Sequence, residues 1–480
     1  MLFNSLEFAV FFPVVVGLYF SLPHRHRVAL LLVSSCVFYM AFIPAYIAIL
    51  GLTILIDYCA GIWLEKTEND RARRLLLLLS IIATCTVLFV FKYFFFAVDN
   101  TRWLAGIFGW HLTGPSIRII LPIGLSFHTF QSLSYVIEVF RRRQKAETNF
   151  VTYATYVMFF PQLVAGPIER PQNLLHQFYE VHEFDYARIT SGLKRMAWGF
   201  FKKLVIADRL ALLVNDVYAA PQAHSGFQLS LATVFFAYQI YCDFSGYSDI
   251  AIGSARVLGF TLMENFRSPY HAGSVGEFWQ RWHISLSTWF RDYVYIPLGG
   301  SHVARWRSVR NVLIAFTISG LWHGANWTFV IWGFLNGLYL TFGSILRPYR
   351  ERWWLSIGLR DGHPVRVAIG TGILFVLTCV TWVFFRASSV GDATYILTHF
   401  WADWRSPSVR TEQFLLRQFP VAVISILALE VGERLHGRVS LATVLAYRPV
   451  AFRWAVYTAF VIAVVLFGIH RSSQFIYFQF

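Results

Sequence analysis

The chain has 480 residues, of which 56% are hydrophobic and only 14% are charged. A water-soluble protein of this length cannot bury so much apolar surface, so the composition excludes the soluble classes and predicts an integral membrane protein. The net charge of +15 would suit nucleic-acid binding in a soluble chain. Here the basic residues concentrate in short loops between apolar segments, as membrane topology determinants do. We therefore expect a lipid bilayer as the environment and no nucleic-acid partner.

Apolar segments long enough to cross or enter a bilayer recur along the whole chain. A span needs roughly 20 mainly apolar residues, and the pattern predicts about 10–12 transmembrane or re-entrant helices. We interpret the first as a retained helix, since MLFNSLEF carries no basic region typical of a signal peptide. The candidate segments are 5–22, 28–43, 46–64, 75–98, 118–140, 151–166, 194–218, 228–258, 311–346, 366–386, 414–430 and 450–470. The fold class expected is all-α and polytopic, as a single membrane-embedded domain over 1–480.

The basic loops predict the orientation of the helices. Clusters at 24–27, 66–74 and 141–145 should be cytoplasmic, and the 347–364 stretch is also of the cytoplasmic type. A first helix that runs from outside to inside, followed by alternation, places the first three clusters on one side. The same alternation places 99–117 outside.

Between about 262 and 308 the pattern changes, because charges and aromatic residues alternate every few positions. This composition favours an amphipathic or re-entrant helix at the membrane interface, ended by Pro297, Gly299 and Gly300. We find no pattern typical of strands in the chain and no repeat of fixed period.

Several kinds of chemistry lack their motifs. The chain has no phosphate loop, no HExxH zinc helix, no dinucleotide fingerprint and no GxSxG nucleophile elbow. Its five cysteines are scattered without a CxxC pair, so we expect neither a metal site nor a disulfide framework.

Two histidines in apolar surroundings are the candidate catalytic residues. His283 lies in GEFWQRWHISLSTWFRDYVYIPLGG, and His323 lies near the middle of NVLIAFTISGLWHGANWTFVIWGFLNGLYLTF. Ionisable groups in such segments are costly and usually mark a polar cavity or a reaction path. An imidazole can take a proton from a hydroxyl at neutral pH and return it, which suits acyl transfer from a thioester to an alcohol. The alternative is a histidine that only hydrogen-bonds neighbouring helices.

If each histidine lies inside a helix, spacing predicts its neighbours. Asn326 and Trp327 would share the face of His323 on one side, and Ser319 and Gly320 on the other. Trp279 and Ser287 would share the face of His283 in the same way.

Other buried polar residues have structural and functional interpretations. Asp57 in LTILIDYCAGIW can be a proton relay, although a hydrogen bond to a neighbouring helix is favoured. Asp243 and Asp249 are expected to shape an internal wall and not to form an acid–base pair. His128, Gln131 and Tyr135 form a polar stripe that should face the interior as scaffold. The full stripe follows the helical spacing i, i+3 and i+7.

Five segments together resemble the membrane-bound O-acyltransferase superfamily, and within it the AlgI-type alginate O-acetyltransferases. They are FFPQLVAGPIERP, DFSGYSDIAIGSARVLGF, ENFRSPY, FWQRWHISLSTWFRDYVYIPLGG and LWHGANW, in this order. The resemblance covers about 1–345, and the helices over about 366–470 match only in being hydrophobic. The D-alanyl transferase DltB type is a more distant match.

The resemblance implies a helical membrane fold around a tunnel, with His323 catalytic and His283 as the second catalytic histidine. We assign substrate contacts to six further residues of these motifs: Asn265, Arg281, Trp282, Asp292, Tyr293 and Asn326. Arg281 and Arg291 can bind donor phosphates or simply anchor helices, and Asn326 can orient an imidazole or help an oxyanion.

The resemblance also implies the substrates and partners. These are a cytoplasmic acyl donor (acetyl-CoA or another thioester), no bound cofactor, an exported polysaccharide acceptor, and a periplasmic partner of the SGNH, AlgX or AlgJ type, in the bacterial inner membrane. Two alternatives stay open: D-alanyl transfer to teichoic acid, which would use a carrier protein as donor, and a flippase for a lipid-linked sugar. The flippase predicts inverted repeats, which we do not find in the sequence.

Overall fold

A computed structural model describes residues 1–112, 122, 124–163, 166–404, 409–436, 448–469 and 475–476. These residues form helices and connecting loops and contain no strand, which confirms the all-α prediction. Among them, five helices are long and apolar enough to cross a membrane, or six if one bent pair counts as a single span. The chain is therefore a multi-pass membrane protein. The remaining predicted segments form helices that are shorter or carry more polar residues.

The chain divides into two compact units, Met1–Met196 with Ala251–Glu264, and Ala197–Ile250 with Asn265–Phe480. Whether 1–480 behaves as one domain in the membrane stays a prediction. In its described residues, the first unit contains six main helices and two short ones before residue 180. They are Leu6–Ser21, His24–Met40, Tyr46–Lys66, Asp70–Ile107 (with a π-helical turn at Phe89–Tyr93), Leu125–Phe140, Phe150–Met158, Pro171–Leu174 and the 3-10 turn Leu175–Tyr179.

Two long helices each have residues assigned to both units. They are Tyr186–Ala219, with a π-helical segment at Phe201–Ala207, and Gly226–Leu258. The second unit then contains short helices followed by long ones. They are Pro221–Ala223, Pro269–His271, Val275–Arg281, Ile284–Phe290 with a π-helical turn Arg291–Tyr295, Arg305–His323, Trp327–Ser356, Pro364–Arg386, Val390–His399, Val409–Arg417, Phe419–His436 and Val450–Phe467.

Buried polar residues of the first unit hold its helices together. Asp57 is fully buried, and its Oδ1 accepts hydrogen bonds from Ser80 Oγ (2.8 Å) and Thr84 Oγ1 (3.0 Å) on the next helix. This supports the structural interpretation of Asp57. The stripe His128, Gln131 and Tyr135 is buried as predicted.

Two predicted spans were wrong in extent. Among its described residues, the segment 151–166 is helical over Phe150–Met158, which at 1.5 Å per residue is about 14 Å long and too short to cross a bilayer. The segment 311–346 is not one helix, because the chain breaks after His323 and a new helix begins at Trp327. Asn326 causes this restart, since its Oδ1 accepts a hydrogen bond from Thr328 N (3.0 Å) as an N-cap. The predicted outside loop 99–117 lies partly outside the described residues.

Arg305–His323 and Trp327–Ser356 form an antiparallel hairpin whose interface is built on glycines. An added Cβ at Gly320 would lie 3.0 Å from Gly333 Cα, and one at Gly333 would overlap the carbonyl oxygen of Phe316. An added Cβ at Gly337 would lie 3.2 Å from Leu313 Cδ2. Small residues let the two backbones approach closely, as at many membrane helix interfaces.

We expect Gly333→Ala to destabilise the protein, because the new methyl group must push the hairpin apart; overpacking of this kind costs about 1–3 kcal/mol. Thermal melting of the purified protein in detergent measures the effect. Gly343→Ala is the matched control, since it lies in the same helix with open space around its Cβ position. Equal melting temperatures for the two variants would contradict the close glycine contact.

Candidate active site

The carboxamide of Asn265 organises the surroundings of His283. Asn265 is completely buried, and its Oδ1 accepts hydrogen bonds from Ser285 N (3.2 Å) and Ser285 Oγ (2.9 Å). The same oxygen lies 3.1 Å from His283 Nδ1. On the other side, Asn265 Nδ2 donates to Ser248 Oγ (3.2 Å) on Gly226–Leu258. Because a backbone N–H can only donate, the atom that faces Ser285 must be the carboxamide oxygen.

This arrangement determines which nitrogen of His283 carries the proton. Asn265 Oδ1 can only accept, so His283 Nδ1 must donate. His283 is 1% exposed and lies outside the membrane-spanning helices, and burial lowers its pKa to about 3. The imidazole is therefore neutral, with its proton on Nδ1 and its basic lone pair on Nε2.

The backbone at His283 corrects the prediction that it lies inside a helix. His283 sits between Val275–Arg281 and Ile284–Phe290 with φ of 43°, in the left-handed region. Trp279 and Ser287 therefore do not share a continuous helix face with it. The unfavourable φ is held by main-chain hydrogen bonds from Ile284 N to Asn265 O and from Arg267 N to Arg281 O, both 2.9 Å. Such outliers persist where their surroundings over-determine them, and they cluster at functional sites.

His323 is enclosed by aromatic rings at the end of its helix. It is 5% exposed, and its ring centroid lies 4.9 Å from that of Trp322, 5.0 Å from Trp332 and 5.3 Å from Phe385. Ser319 and Gly320 lie on the same helix as predicted. Since the helix ends at His323, Asn326 does not share its face.

The two histidines lie near the same indole ring. The Trp322 ring lies 6.5 Å from that of His283 as well as 4.9 Å from that of His323. A row of three tryptophans also links the two surroundings. The ring centroid of Trp382 lies 5.9 Å from that of Trp332 and 5.0 Å from that of Trp282, which precedes His283 in the chain. The structure thus brings both predicted catalytic residues into one apolar compartment of the second unit.

Three of these residues were missed in the sequence. Trp332, Trp382 and Phe385 carry no motif of their own, and the last two come from Pro364–Arg386, which was placed beyond the motif-bearing core. Trp282 is 1% exposed and packs against Trp382, and its assignment to substrate stays a prediction. Aromatic residues on an apolar helix give no signal that separates a site wall from lipid contact.

The other predicted substrate residues have structural partners. Arg281 pairs with Glu277, and Asp292 accepts a hydrogen bond from Arg291 Nε at 2.7 Å. Tyr293 packs on Trp289 with centroids 5.1 Å apart. Asn326 caps its helix and donates through Nδ2 to Ser388 O (3.1 Å). The substrate roles of these residues stay predictions.

A buried ionic cluster beside this site was missed. Lys203 pairs with Asp208 (2.9 Å) and with Asp243, and Lys202 pairs with Asp249 (3.0 Å). Gly199 and Gly246 bring the two helices together here, since an added Cβ on either would meet the carbonyl oxygen of the other. The pairs support the expectation that Asp243 and Asp249 shape a wall, because each of these carboxylates is paired with a buried lysine, which Asp243 shares with Asp208.

Comparison with known proteins identifies the family. The family model described as "MBOAT, membrane-bound O-acyltransferase family" matches residues 73–385. The chain belongs to this family and is an O-acyltransferase that acts on an acyl donor. The matched region reaches Phe385, the residue whose ring contacts His323 from beyond the predicted core.

Several curated relatives are similar over most of their length. The chain is 36% identical to the probable alginate O-acetylase AlgI of Azotobacter vinelandii over 439 residues, which are 90% of this chain and 84% of that protein. It is 38% identical to the protein of the same name from Pseudomonas aeruginosa, over 81% of this chain and 73% of that one. It is 33% identical to the peptidoglycan O-acetyltransferase of Helicobacter pylori, over 83% of this chain and 79% of that protein.

We expect Asn265→Ala to lower turnover on the order of 10–100-fold, because an unheld His283 ring can rotate and exchange tautomers, as for outer-shell partners of other functional histidines. The measurement is kcat with the protein quantified in the membrane. Asn265→Gln keeps the carboxamide but lengthens the side chain, so it shows whether the position of the carboxamide matters as well as its ability to accept hydrogen bonds. Ser248→Ala is the control, since it removes only the partner of Nδ2.

We expect Lys203→Met to prevent accumulation of folded protein, because it leaves Asp208 and Asp243 as buried carboxylates without their cation; breaking a buried pair from one side costs about 3–5 kcal/mol. Membrane abundance by immunoblot and melting in detergent measure the loss. The double variant Lys203→Met with Asp243→Asn should recover part of it. No recovery would indicate that the lysine acts through packing alone.

Proposed function

We propose that this protein transfers an acetyl group from acetyl-CoA on the cytoplasmic side for O-acetylation of an exported polysaccharide, with alginate as the polymer. The observation that carries the proposal is the pair of buried histidines around Trp322, one of which, His283, is neutral because it is buried and has its tautomer set by Asn265. The acetyl group and the polymer are supported by relatives named as alginate O-acetylases that match over most of their length.

The chemistry needs a base that is neutral before the reaction. The acceptor hydroxyl attacks the thioester carbonyl, so a C–O bond forms, the C–S bond breaks, and the hydroxyl proton must finally reach the thiolate. We assign the proton transfer to His323, since the imidazole can accept the proton and then donate it. His283, whose Nδ1 is held by Asn265, polarises or positions through Nε2. The aromatic enclosure excludes water that would otherwise hydrolyse the thioester.

The reaction connects the two sides of the membrane. We place the protein in the bacterial inner membrane, with the donor entering from the cytoplasm and a periplasmic acetyltransferase of the SGNH, AlgX or AlgJ type receiving the group or directing it to the polymer. The basic loops support this orientation.

Peptidoglycan is the second candidate acceptor, because the Helicobacter pylori relative named for it is 33% identical over 79% of its length. A deletion strain and its complemented parent distinguish the two polymers. Exported polysaccharide and purified peptidoglycan are treated separately with mild base, and the released acetate is measured. Loss of acetate from peptidoglycan alone would replace alginate in the proposal.

We expect His323→Ala to abolish acetylation while the protein still accumulates in the membrane, because alanine removes a costly buried polar group. Acetate released from the polymer, normalised to membrane protein, measures this. His283→Ala should lower activity severely but leave a measurable fraction. His176→Ala, an exposed histidine paired with Glu180, is the control. Normal acetylation by the His323 variant would rule out its catalytic role.

A further inference from the structure

One end of the hairpin carries a dense group of arginines. Because Arg305–His323 and Trp327–Ser356 are antiparallel, as the contact between Leu313 and Gly337 shows, the start of the first helix and the end of the second lie at the same end. We call this group the arginine end. Its exposed members are Arg305, Arg307, Arg310, Arg347, Arg350 and Arg352.

The positive charge of the arginine end is not balanced by nearby acids. Glu351 and Asp361, the acidic residues of this region, both pair with Arg366, at 2.6 Å and 3.4 Å. In the part of the chain that the structure describes, the six arginines form no ion pair with a carboxylate. Arg281 and Arg291, the sequence-based candidates for donor phosphates, are by contrast each paired with a neighbouring carboxylate. Neighbouring guanidinium groups that are not paired with carboxylates are suited to phosphate groups, which they bind in bidentate fashion.

An exposed aromatic ring lies within this group. Trp306 is 62% exposed, and the guanidinium carbons of Arg307 and Arg310 lie 5.2 Å and 5.7 Å from its ring centroid. A flat ring beside cations is the combination with which proteins hold a nucleobase together with its phosphates.

The distance from the arginine end to His323 restricts the kind of donor. Arg310 and His323 lie on one continuous helix, 13 residues apart, which corresponds to about 20 Å at 1.5 Å per residue. A donor whose charged part stays among the arginines must therefore carry its acyl group on a long flexible arm. Pantetheine thioesters have such an arm, whereas a small acyl phosphate does not.

We propose that the arginine end, with Trp306 against the adenine and Arg307 and Arg310 on the phosphates, binds the phosphorylated adenosine diphosphate portion of a coenzyme A thioester. The pantetheine arm then runs along the hairpin to His323. This rests on the proposed function in taking acetyl-CoA as the donor, and it adds the place where the nucleotide is held.

The test compares two double variants of the full-length protein in nanodiscs of neutral phospholipid. Arg307→Gln with Arg310→Gln removes two cations of the arginine end. The control, Arg71→Gln with Arg74→Gln, removes two exposed arginines from another predicted cytoplasmic loop. Coenzyme A itself is the binding probe, and dephospho-coenzyme A shows the contribution of the 3′-phosphate. Steady-state acetylation with acetyl-CoA gives KM and kcat separately.

We expect the Arg307/Arg310 variant to weaken coenzyme A binding and raise the KM for acetyl-CoA on the order of tenfold, with kcat within about twofold of the parent. The control should match the parent. Equal affinity and KM in the two double variants, with a parent that binds and turns over acetyl-CoA, would overturn this inference and leave the proposed function standing. A parent that does not use acetyl-CoA would overturn both.

A second arm excludes a lipid site. The same variants are placed in nanodiscs containing phosphatidylglycerol, and the lipid retained by the protein is quantified. If the Arg307/Arg310 variant loses bound phosphatidylglycerol but keeps its affinity for coenzyme A, the arginine end is a site for an anionic lipid and the nucleotide proposal is wrong. Trp306→Ala should weaken coenzyme A binding without changing lipid retention.

Discussion

The active compartment depends on one oxygen atom, Asn265 Oδ1. It accepts from the main chain and side chain of Ser285 and from His283 Nδ1, so a single carboxamide determines a chain reversal and a tautomer at once. The helix Gly226–Leu258 enters the same network through Ser248. A shorter or acidic side chain at this position would change the geometry, the charge, or both. The left-handed φ of His283 is held by the neighbouring main-chain bonds, one of which, from Ile284 N, also ends on Asn265.

Around this network, buried polar groups occur in two arrangements: as ion pairs, and as imidazoles enclosed by aromatic rings. Lys203 with Asp208 and Asp243, and Lys202 with Asp249, are paired ions that hold helices where neither lipid nor water can compensate a lone charge. The imidazoles of His283 and His323 are instead enclosed by aromatic rings. An apolar enclosure favours the neutral form of an imidazole and strengthens any electrostatic contact made to a reacting group. The first arrangement holds the helices together, and in the mechanism that we propose the second keeps a base available.

Composition and motifs were sufficient to predict the helical membrane class and the family, because both depend on local sequence. The break between His323 and Trp327 was not seen, because the apolar run continues through it and hides the cap at Asn326. The contacts of His323 with Phe385, and of Lys203 with Asp243, join residues 40 or more positions apart. Periodicity reports which face of a helix is apolar but not which distant helix covers it. The hydrogen bond between Asn265 and His283 could not be predicted from periodicity, because the chain reverses between the two residues and a reversal has no periodic signal. Only the occurrence of both residues in the motifs of one family pointed to them.

The glycine interface of the hairpin fixes the distance between the arginine end and His323. Gly320 and Gly333 allow backbone contact, so the two helices cannot slide past each other without overlap, and the depth of His323 below the arginine end is fixed. A catalytic group on a flexible loop could move to meet donors of different lengths. A histidine at the end of a rigid helix cannot, so under the proposal for the arginine end the donor itself must span the distance to His323. Selection among acyl donors can then rest on the length of the arm and the charge of its head, with few contacts to the small acyl group itself. The wall of Trp322, Trp332 and Phe385 needs only to exclude water and admit an acyl group of matching size.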